Sequence, residues 1–492
     1  LQRNPSAFSA ENGIPKGIHQ SIVSIADLSG EMGGTPKFKR IIRSDVSAMG
    51  SRKTSAILCG VLASYWLLSP VYAVWHFDEY ASTGPLLVRY VLVPTAFSLT
   101  VLCVGLLAPP RLATGVGIYG LSVLMGLFLF EALLTVRSIP VRLSMLGQLS
   151  PQQSEAMAQQ EDMVRGFTLA QLNQLSGATK LREAVLSGFP KTQVVLCSGP
   201  DSIVSYRADR YGFNNPDALY ETAHLESMLL GDSFVEGFCL RPEENMVSQL
   251  RRKGVHAIGM GIRGNGPLTE LATLGRFGPM FKPRHVFMVF FEGNDWENLQ
   301  AELERPWLRP ALVESADFGT PSTANEMMQR AKSMMDDINS RPVTAADLFT
   351  KTEILRNFVA LQQTFTRLGL IFPKATPAIP EFGEALRRAK TIAIGWSGSF
   401  TLVYVPQLDR FIGPLPAGHA YEPLRTRVLG SASEAGVDVV DLTSALEKEL
   451  QPETFYGPDG HFNSRGAAFA ATILAHHLRD LGVVPSVANI KP

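Results

Sequence analysis

Three long runs without a charged residue constrain the fold of this chain more than any other feature. The runs are Thr54–Trp75, Tyr90–Pro110 and Leu112–Phe130. Each has about 20 residues, the length at which a helix crosses roughly 30 Å of hydrocarbon. A cleaved signal peptide has a shorter apolar stretch and would not be followed by two more. Residues 54–136 therefore predict three transmembrane helices, with the lipid bilayer as a partner.

The charges around these runs predict their orientation. Six Lys and Arg residues lie between 37 and 53, whereas the loop after the first run carries Asp78 and Glu79. Cationic flanks stay in the cytoplasm, so residues 1–53 are expected to form a disordered cytoplasmic N-terminus. Three spans then place everything after residue 137 outside a bacterial inner membrane. Met49, followed by Gly, Ser, Arg and Lys, is expected to be the natural start of the chain.

Charge and cysteine content narrow the possible functions. Lys+Arg and Asp+Glu both number 45, so no global positive field attracts a polyanion and we expect no nucleic-acid partner. Cys59 and Cys103 fall inside the apolar runs, whereas Cys197 and Cys239 lie in the outer part. A disulfide is chemically permitted there but not required. No C-x-x-C spacing occurs, which disfavours a metal knuckle.

The outer part is predicted to begin with an amphipathic connecting helix at 137–189 that packs on its own domain. Over 190–485, short apolar runs alternate with helical patterns, which predicts a parallel sheet covered by helices on both faces. The predicted strands are Met228–Gly231, Val255–Met260, Val286–Phe291, Phe400–Val405 and Val437–Leu442. Residues 298–350 lack strand patterns, so we expect a helical or loop insertion. Arg89 and Glu131, near the ends of spans, are expected to extend toward the membrane surface.

Three motifs at the predicted sheet edge carry residues suited to acyl-transfer chemistry. Ser233, in Gly-Asp-Ser, follows a strand and could act as a nucleophile once a base removes its proton. Asn294, in Gly-Asn-Asp, also follows a strand and could donate to an oxyanion. His461 lies just before the last helix, where Asp459 could orient it as a base. Each motif alone is more often an ordinary loop or cap; the combination is what favours a shared site.

Together these blocks resemble the SGNH (GDSL-type) hydrolase family. A glycine block at 261–267 completes the set of four in family order, and the likeness extends over about 190–482. The resemblance implies a flavodoxin-like fold with Ser233 as nucleophile, His461 as base and Asp459 as its orienting group. It further implies an oxyanion hole formed by the amides of Ser233 and Gly264 and the side chain of Asn294. The family usually places its Asp three residues before the His, whereas here the separation is two.

A competing pattern overlaps the glycine block. Residues 259–264 match G-x-G-x-x-G between a strand and a helix, which is a dinucleotide-binding fingerprint. The next strand ends near Glu292, farther away than the expected acidic position, and the inferred compartment lacks a nicotinamide pool. We therefore favour a hydrolase loop over a nucleotide site.

The resemblance implies a membrane-anchored serine esterase that needs no metal or organic cofactor. Segment 206–214 is similar to the lead-in of membrane-tethered, glycan-modifying members, so the implied substrate is an O-acylated, above all O-acetylated, cell-envelope or exported polysaccharide. Two alternatives stay open: an O-acetyltransferase that uses the same residues, and an inactive glycan-binding assembly subunit. A membrane acyltransferase or a polysaccharide-assembly protein is a possible partner.

Overall fold

The computed structural model describes residues 52–146, 162–198, 203–221, 224–339, 344–415 and 417–485, together with 153 and 155. The expectations for a disordered N-terminus and for a start at Met49 fall on residues 1–51, which lie outside the described part of the chain.

Three helices near the start of the described chain are long and apolar enough to span a membrane. They are α1 (Arg52–Trp75), α2 (Gly84–Leu107) and α3 (Pro110–Met145). Small residues let them approach closely: a Cβ at Gly105 would lie 2.6 Å from Cβ of Cys59. Such close contacts are typical of helix packing in lipid. The protein therefore associates with a membrane through this helical unit.

Helix α3 continues well beyond the length of a single span. Its 36 residues extend about 54 Å at 1.5 Å per residue, compared with a hydrocarbon core of roughly 30 Å. Near its far end, Ser144 Oγ donates to the Ser198 carbonyl at 2.6 Å. The helix therefore directly contacts the domain that follows it; we call that domain the outer domain after its predicted location.

The outer domain is built on a five-stranded parallel sheet. Its strands are β4 (Ser227–Gly231), β5 (Ala257–Gly261), β6 (His285–Phe291), β7 (Ser399–Val405) and β8 (Asp438–Asp441). Their spatial order is β5-β4-β6-β7-β8, which is the flavodoxin-like order of a doubly wound fold. The predicted fold class is confirmed, and the predicted strands match to within one or two residues.

Helices cover both faces of this sheet because its strands are apolar on both sides. In β4, Met228 and Leu230 join one core cluster and Leu229 joins the other. The first cluster includes residues of α7 (Pro267–Phe281), α13 (Pro380–Ile394) and α14 (Glu422–Glu434). The second includes residues of α6 (Met246–Arg252), α15 (Leu442–Leu446) and α16 (Ser464–Asp480).

The prediction of one connecting helix over 137–189 is wrong. Its described residues do not form one helix: the first belong to the end of α3, and strand β1 (Met163–Arg165) and the short helix α4 (Leu169–Ser176) lie further along. Strand β1 pairs with β2 (Gln193–Ser198), and β2 pairs with β3 (Ile203–Arg207), forming a three-stranded sheet. The apolar residues that suggested a helical face instead pack into the first core cluster from a strand, a helix and their loops. Gly177, left-handed at φ +73°, ends α4 early.

A disulfide joins this small sheet to the segment that follows α5 (Ser233–Glu236). The bond, left open by the sequence, links Cys197 at the end of β2 to Cys239. Since Cys239 comes three residues after α5, the bond restrains the chain immediately beyond Ser233.

The insertion between β6 and β7 is longer than predicted. It continues past residue 350 to residue 379 with no strand in its described residues. Its helices are α8 (Asp295–Leu303), α9 (Asn325–Asn339), α10 (Ala345–Lys351), α11 (Ile354–Val359) and α12 (Gln362–Leu368). Of these, α11 and α12 contact α3.

Glu131 does not extend toward the membrane surface, so that expectation is wrong. Its side chain in α3 is fully buried and accepts hydrogen bonds from the backbone N–H groups of Gln363 and Thr364 and from the Thr364 hydroxyl. Arg89 likewise donates to the Ile371 carbonyl at 2.5 Å. Both charged groups are held by the insertion.

Candidate active site

Ser233 lies at the carboxyl end of the central strand β4, as its position after an apolar run predicted. It is the first residue of α5, and Asp232 caps that helix by accepting from the Phe234 N–H at 2.9 Å. Helix α5 packs directly on β5, because a Cβ at Gly261 would lie 2.7 Å from the Asp232 carbonyl oxygen. Both Asp232 and Ser233 are buried, so the hydroxyl is held on a short, fully supported turn.

The structure brings His461 and Asp459 to this hydroxyl. His461 Nε2 lies 2.9 Å from Ser233 Oγ, and His461 Nδ1 lies 3.2 Å from Asp459 Oδ2. The two-residue spacing is workable because Gly460 adopts a left-handed φ of +84°. This turn brings the carboxylate back to the ring of its near neighbour. This arrangement of hydroxyl, imidazole and carboxylate lets the imidazole accept the hydroxyl proton while the carboxylate fixes the tautomer of the imidazole.

A second acceptor also faces the serine hydroxyl. Ser233 Oγ donates to Asp232 Oδ2 at 3.2 Å, so its single proton is shared between Asp232 and His461. Burial raises the pKa of Asp232, against the opposing effects of the Phe234 N–H and the nearby His461. A neutral Asp232 would be a weaker acceptor than its carboxylate and would compete less with the imidazole for the hydroxyl proton.

Two aromatic rings and an ion pair support the imidazole. The rings of Phe234 and Phe238 lie 5.1 Å and 4.6 Å from that of His461. Arg263 lies over the Phe238 ring at 5.1 Å and pairs with the buried carboxylate of Glu236, its Nε donating at 2.9 Å. The Glu236 carboxylate also accepts from the Arg263 backbone N–H at 3.0 Å, which holds the loop immediately before Gly264.

Strand register places Gly264 and Asn294 on opposite sides of Ser233. Strand β4 pairs with β5 through Gly231 and Gly261, and with β6 through Leu230 and Met288. The loops that follow β5 and β6 therefore flank the loop carrying Ser233. The Asn294 Oδ1 atom is buried and accepts no hydrogen bond from the described residues. Their oxyanion role stays a prediction.

The structure argues against a dinucleotide at the G-x-G-x-x-G segment. In that mode the pyrophosphate binds at the N-terminus of the following helix, here α7. That end is already capped by the buried Glu302 carboxylate, which accepts from the N–H groups of Gly266 at 2.7 Å and Leu268 at 3.0 Å. The glycine loop is thus tied to α8 of the insertion.

A buried group of carboxyls lies behind the serine. Burial raises the pKa of Glu270 and Asp295 well above their usual ranges, and the proximity of Asp232 raises both further. Neither oxygen of Glu270 accepts a hydrogen bond from any residue in the described ranges. Desolvation without donors disfavours the charged form of Glu270, whereas Asp295 accepts one hydrogen bond, from the Phe291 N–H at 2.7 Å.

A buried ion network anchors the strand end that leads into Asn294. Glu292 accepts from Tyr404 Oη at 2.5 Å, from the Gln407 N–H at 3.0 Å and from Arg410. Both Glu292 and Arg410 are buried, and a paired buried charge is costly to break. The chain therefore enters Gly293 and Asn294 from a strand end that is held rigidly in place.

Several of these supporting residues were not found by sequence reasoning. Arg263 lies inside the glycine block, and Glu236 follows Ser233 by three residues. In both places a charged residue stands beside small residues, which was the available signal of a supporting role. Glu302 and Arg410 act across the fold, and nothing in their local sequence marks them. Among the residues that the structure describes, no three His, Cys, Asp or Glu side chains are placed to hold a metal ion.

Comparison with known proteins bears on this site. A family model described as "SGNH hydrolase-like domain, acetyltransferase AlgX" matches residues 409–491, the range that contains Asp459 and His461. No curated protein matches this sequence.

Solved structures with a similar outer domain include hydrolases of low sequence identity. A lipase/acylhydrolase from Enterococcus faecalis is 15% identical with a TM-score of 0.28, over 52% of this chain and 96% of its own. The psychrotrophic esterase EstA from Pseudoalteromonas sp. is 11% identical with a TM-score of 0.28, over 52% and 97%. A structure of TesA is 13% identical with a TM-score of 0.29, over 52% and 99%. Similarity at this level assigns no function.

Proposed function

We propose that this chain is an SGNH-type, multi-pass membrane-anchored serine esterase that removes O-acyl groups from a polysaccharide. The observation that carries the proposal is the contact of His461 Nε2 with Ser233 Oγ at 2.9 Å, together with the contact of Nδ1 with Asp459 at 3.2 Å. The site is proposed to face away from the cytoplasm, as the cationic flank of the first span favours.

The proposed reaction proceeds through an acyl-serine. Ser233 Oγ attacks the ester carbonyl carbon as its proton passes to His461 Nε2. The carbon–oxygen bond to the sugar then breaks, and His461 returns that proton to the departing hydroxyl. A water molecule attacks the acyl-serine by the same route in reverse, releasing the acid and restoring the serine.

Negative charge on the carbonyl oxygen needs donors that are already oriented. We assign this role to the amides of Ser233 and Gly264 and to the Asn294 side chain. The pairing of β4 with β5 and β6 supports the assignment, because the loops that carry Gly264 and Asn294 follow these two neighbouring strands. Fixed donors of this kind stabilise the developing charge without reorganising during the reaction.

The proposed substrate is an O-acetylated cell-envelope or exported polysaccharide. The resemblance of segment 206–214 to glycan-modifying members and the match to a family named for an acetyltransferase support it. That name also favours a second candidate function, in which a sugar hydroxyl replaces water as the acceptor and the enzyme is an O-acetyltransferase.

The first test is labelling of the full-length protein with a fluorophosphonate probe, which reacts with an activated serine. Wild type should be labelled and Ser233→Ala should not. Ser464→Ala removes an exposed serine near His461 and serves as the matched control, which should label like wild type. Absence of labelling in wild type would favour the inactive, glycan-binding alternative.

The second test separates the two acceptors. Purified protein receives an activated acetyl ester with and without an acceptor oligosaccharide. Free acetate alone in both cases supports the esterase, whereas acetylated sugar supports the transferase. Product identity is read by mass spectrometry.

A further inference from the structure

The second half of the insertion forms an extensive junction with the membrane helices. This 344–375 segment comprises α10, α11, α12 and the chain that follows them. Besides the contacts of Glu131 and Arg89, Tyr90 Oη donates to the Pro373 carbonyl at 2.9 Å and Ala375 N–H donates to the Glu79 carbonyl at 2.7 Å. The segment therefore has a fixed position relative to the spans.

Its contacts place part of the segment at the depth of the hydrocarbon edge. Glu131 lies about 32 Å along α3 from Pro110 at 1.5 Å per residue, close to the roughly 30 Å thickness of the core. Phe128 lies one turn earlier and contacts the Phe358 ring at 5.5 Å. On α1, Tyr65 Oη donates to the Val359 carbonyl at 3.2 Å, about 15 Å before the helix end at Trp75. Tyr65 lies about 20 Å along α1 from Arg52, so its contact with the segment is deeper in the bilayer than the two contacts on α3.

The polar groups of the segment are satisfied at this depth. Leu361 adopts a left-handed conformation ahead of α12, so the first N–H groups of that helix point at α3. Glu131 accepts from two of them, at 3.1 Å and 2.7 Å, and from the Thr364 hydroxyl at 2.7 Å. A helix end with unpaired N–H groups is costly away from water, and Glu131 removes that cost.

The opposite side of the segment is apolar and uncovered. Leu355 is 66% exposed and Phe349 is 56% exposed, and Val359, Leu368 and Leu370 are also exposed. A group of exposed apolar side chains marks an interaction surface in a soluble setting. Here it continues the lipid-facing surfaces of α1 and α3, which carry exposed Val61 and Leu133.

Charged residues of the same segment form ion pairs near the outer ends of the spans. Lys374 Nζ lies 3.1 Å from Glu79 Oε2 in the loop between α1 and α2. Arg356 pairs with Glu353 at 2.8 Å and donates to Tyr72 Oη at 3.4 Å. Cationic groups beside an apolar face match the headgroup boundary of a bilayer.

We infer that the 344–375 segment is seated in the bilayer surface, with the apolar side chains of Leu355 and Val359 in contact with lipid acyl chains. Phe349 is not included, because the nearby Thr352 carbonyl accepts from Arg142, about 48 Å along α3 from Pro110. The occupant of this surface is the lipid leaflet at the outer ends of α1 and α3.

The 344–375 segment leads on to Pro377, whose carbonyl accepts from Trp296 Nε1 at 3.1 Å. Trp296 follows Asn294 by two residues. This hydrogen bond therefore links the predicted oxyanion loop to the 344–375 segment and holds it near the membrane. The inference does not depend on the chemistry proposed above.

The test measures which solvent surrounds the segment in the full chain. Leu355→Cys and Val359→Cys are made separately in a Cys103→Ser background, labelled with a nitroxide and placed in lipid nanodiscs. Collision rates with oxygen, which concentrates in lipid, and with a polar nickel chelate, which stays in water, are compared by electron paramagnetic resonance. Labelled wild-type Cys103, exposed on α2, is the lipid reference. Leu450→Cys, fully exposed on the outer domain, is the water reference.

We expect the oxygen-to-nickel collision ratio at positions 355 and 359 to be several-fold higher than at 450 and to approach that of Cys103. Each labelled chain must first elute from a size-exclusion column like wild type, and the two sites guard against one misfolded variant. A ratio equal to that at 450 overturns the inference. Low collision rates with both reagents and an immobilised spectrum also overturn it, because they indicate a protein partner or a second copy.

Discussion

Two buried carboxyl groups, one at the membrane junction and one behind the predicted active site, are treated in opposite ways by the fold. Glu131 has exposure of 0% and receives three hydrogen bonds from α12, whereas Glu270 has exposure of 1% and receives none from the described residues. Three donors satisfy the oxygens of Glu131, whereas burial without donors disfavours the charged form of Glu270. The junction is thus specified by hydrogen bonds, and the interior behind the serine is specified by desolvation.

The membrane junction and the candidate active site can therefore be disturbed separately. Breaking the junction should move a segment without touching the reaction, because Glu131 and Ser233 belong to different cores of the chain. Changing groups around the serine should alter turnover or its pH dependence while the junction stays intact. Four substitutions test this separation.

The largest effect is expected at the imidazole. His461→Ala removes the group that lies 2.9 Å from Ser233 Oγ, and we expect turnover of an activated ester to fall by about 10⁴-fold or more, as when a triad member is removed elsewhere. His476→Ala removes an exposed histidine of α16 and should leave turnover unchanged. Equal turnover in His461→Ala and wild type would exclude the proposed base.

Asn294→Ala should have the next largest effect. Loss of one oxyanion donor costs about 2.7–4 kcal/mol of transition-state stabilisation, or roughly 10²–10³-fold in kcat, with KM little changed. The exposed Gln300 lies on the same helix, so Gln300→Ala controls for general disturbance of α8. A change confined to KM would contradict the assigned role.

Glu131→Ala tests the junction itself. Three donors lose their acceptor, at about 1–3 kcal/mol for each unsatisfied buried group, so the 344–375 segment should open more often and be cleaved by protease roughly 10²-fold faster. Glu131→Gln keeps one acceptor oxygen and should give an intermediate rate. Fluorophosphonate labelling of Ser233 should persist in both variants, and unchanged cleavage would show that the hydrogen bonds do not hold the segment.

Glu270→Gln should give the smallest effect, seen only as a change in pH dependence. Because burial raises the pKa of Glu270, the folded chain keeps a proton that the unfolded chain releases. Stability is therefore highest in acid and falls as pH rises toward the raised pKa, by at most about 1.4 kcal/mol per pH unit for one proton. The variant should flatten the decline of the thermal midpoint between pH 5 and 9. Glu384→Gln, at an exposed position of α13, should retain the wild-type slope.

The parallel sheet was predictable because each of its strands is a short apolar run bounded by turns. Its register then follows from packing on both faces, which is why the loops bearing Ser233, Gly264 and Asn294 could be expected at one edge. The contact of His461 with Ser233 was also predictable, since both lie in loops beside helices at that edge.

The small sheet and the junction could not be predicted in the same way. Strand β1 has three residues, too few to establish a period, and its pairing with β2 is set by tertiary packing. The partners of Glu131 lie more than 200 positions away in sequence, and no local pattern links them. Hydropathy identified the spans, but it carries no information about which part of the outer domain packs against them.

The insertion lies between two strands that are neighbours in the sheet. Strands β6 and β7 pair in unbroken register, from His285 with Ser399 to Phe291 with Val405. The sheet therefore accommodates a long insertion without any change in the hydrogen bonds between these two strands. Membrane attachment by the insertion and the residues at the carboxyl ends of the strands are therefore separable. Evolution can lengthen, shorten or replace the insertion while the sheet stays the same.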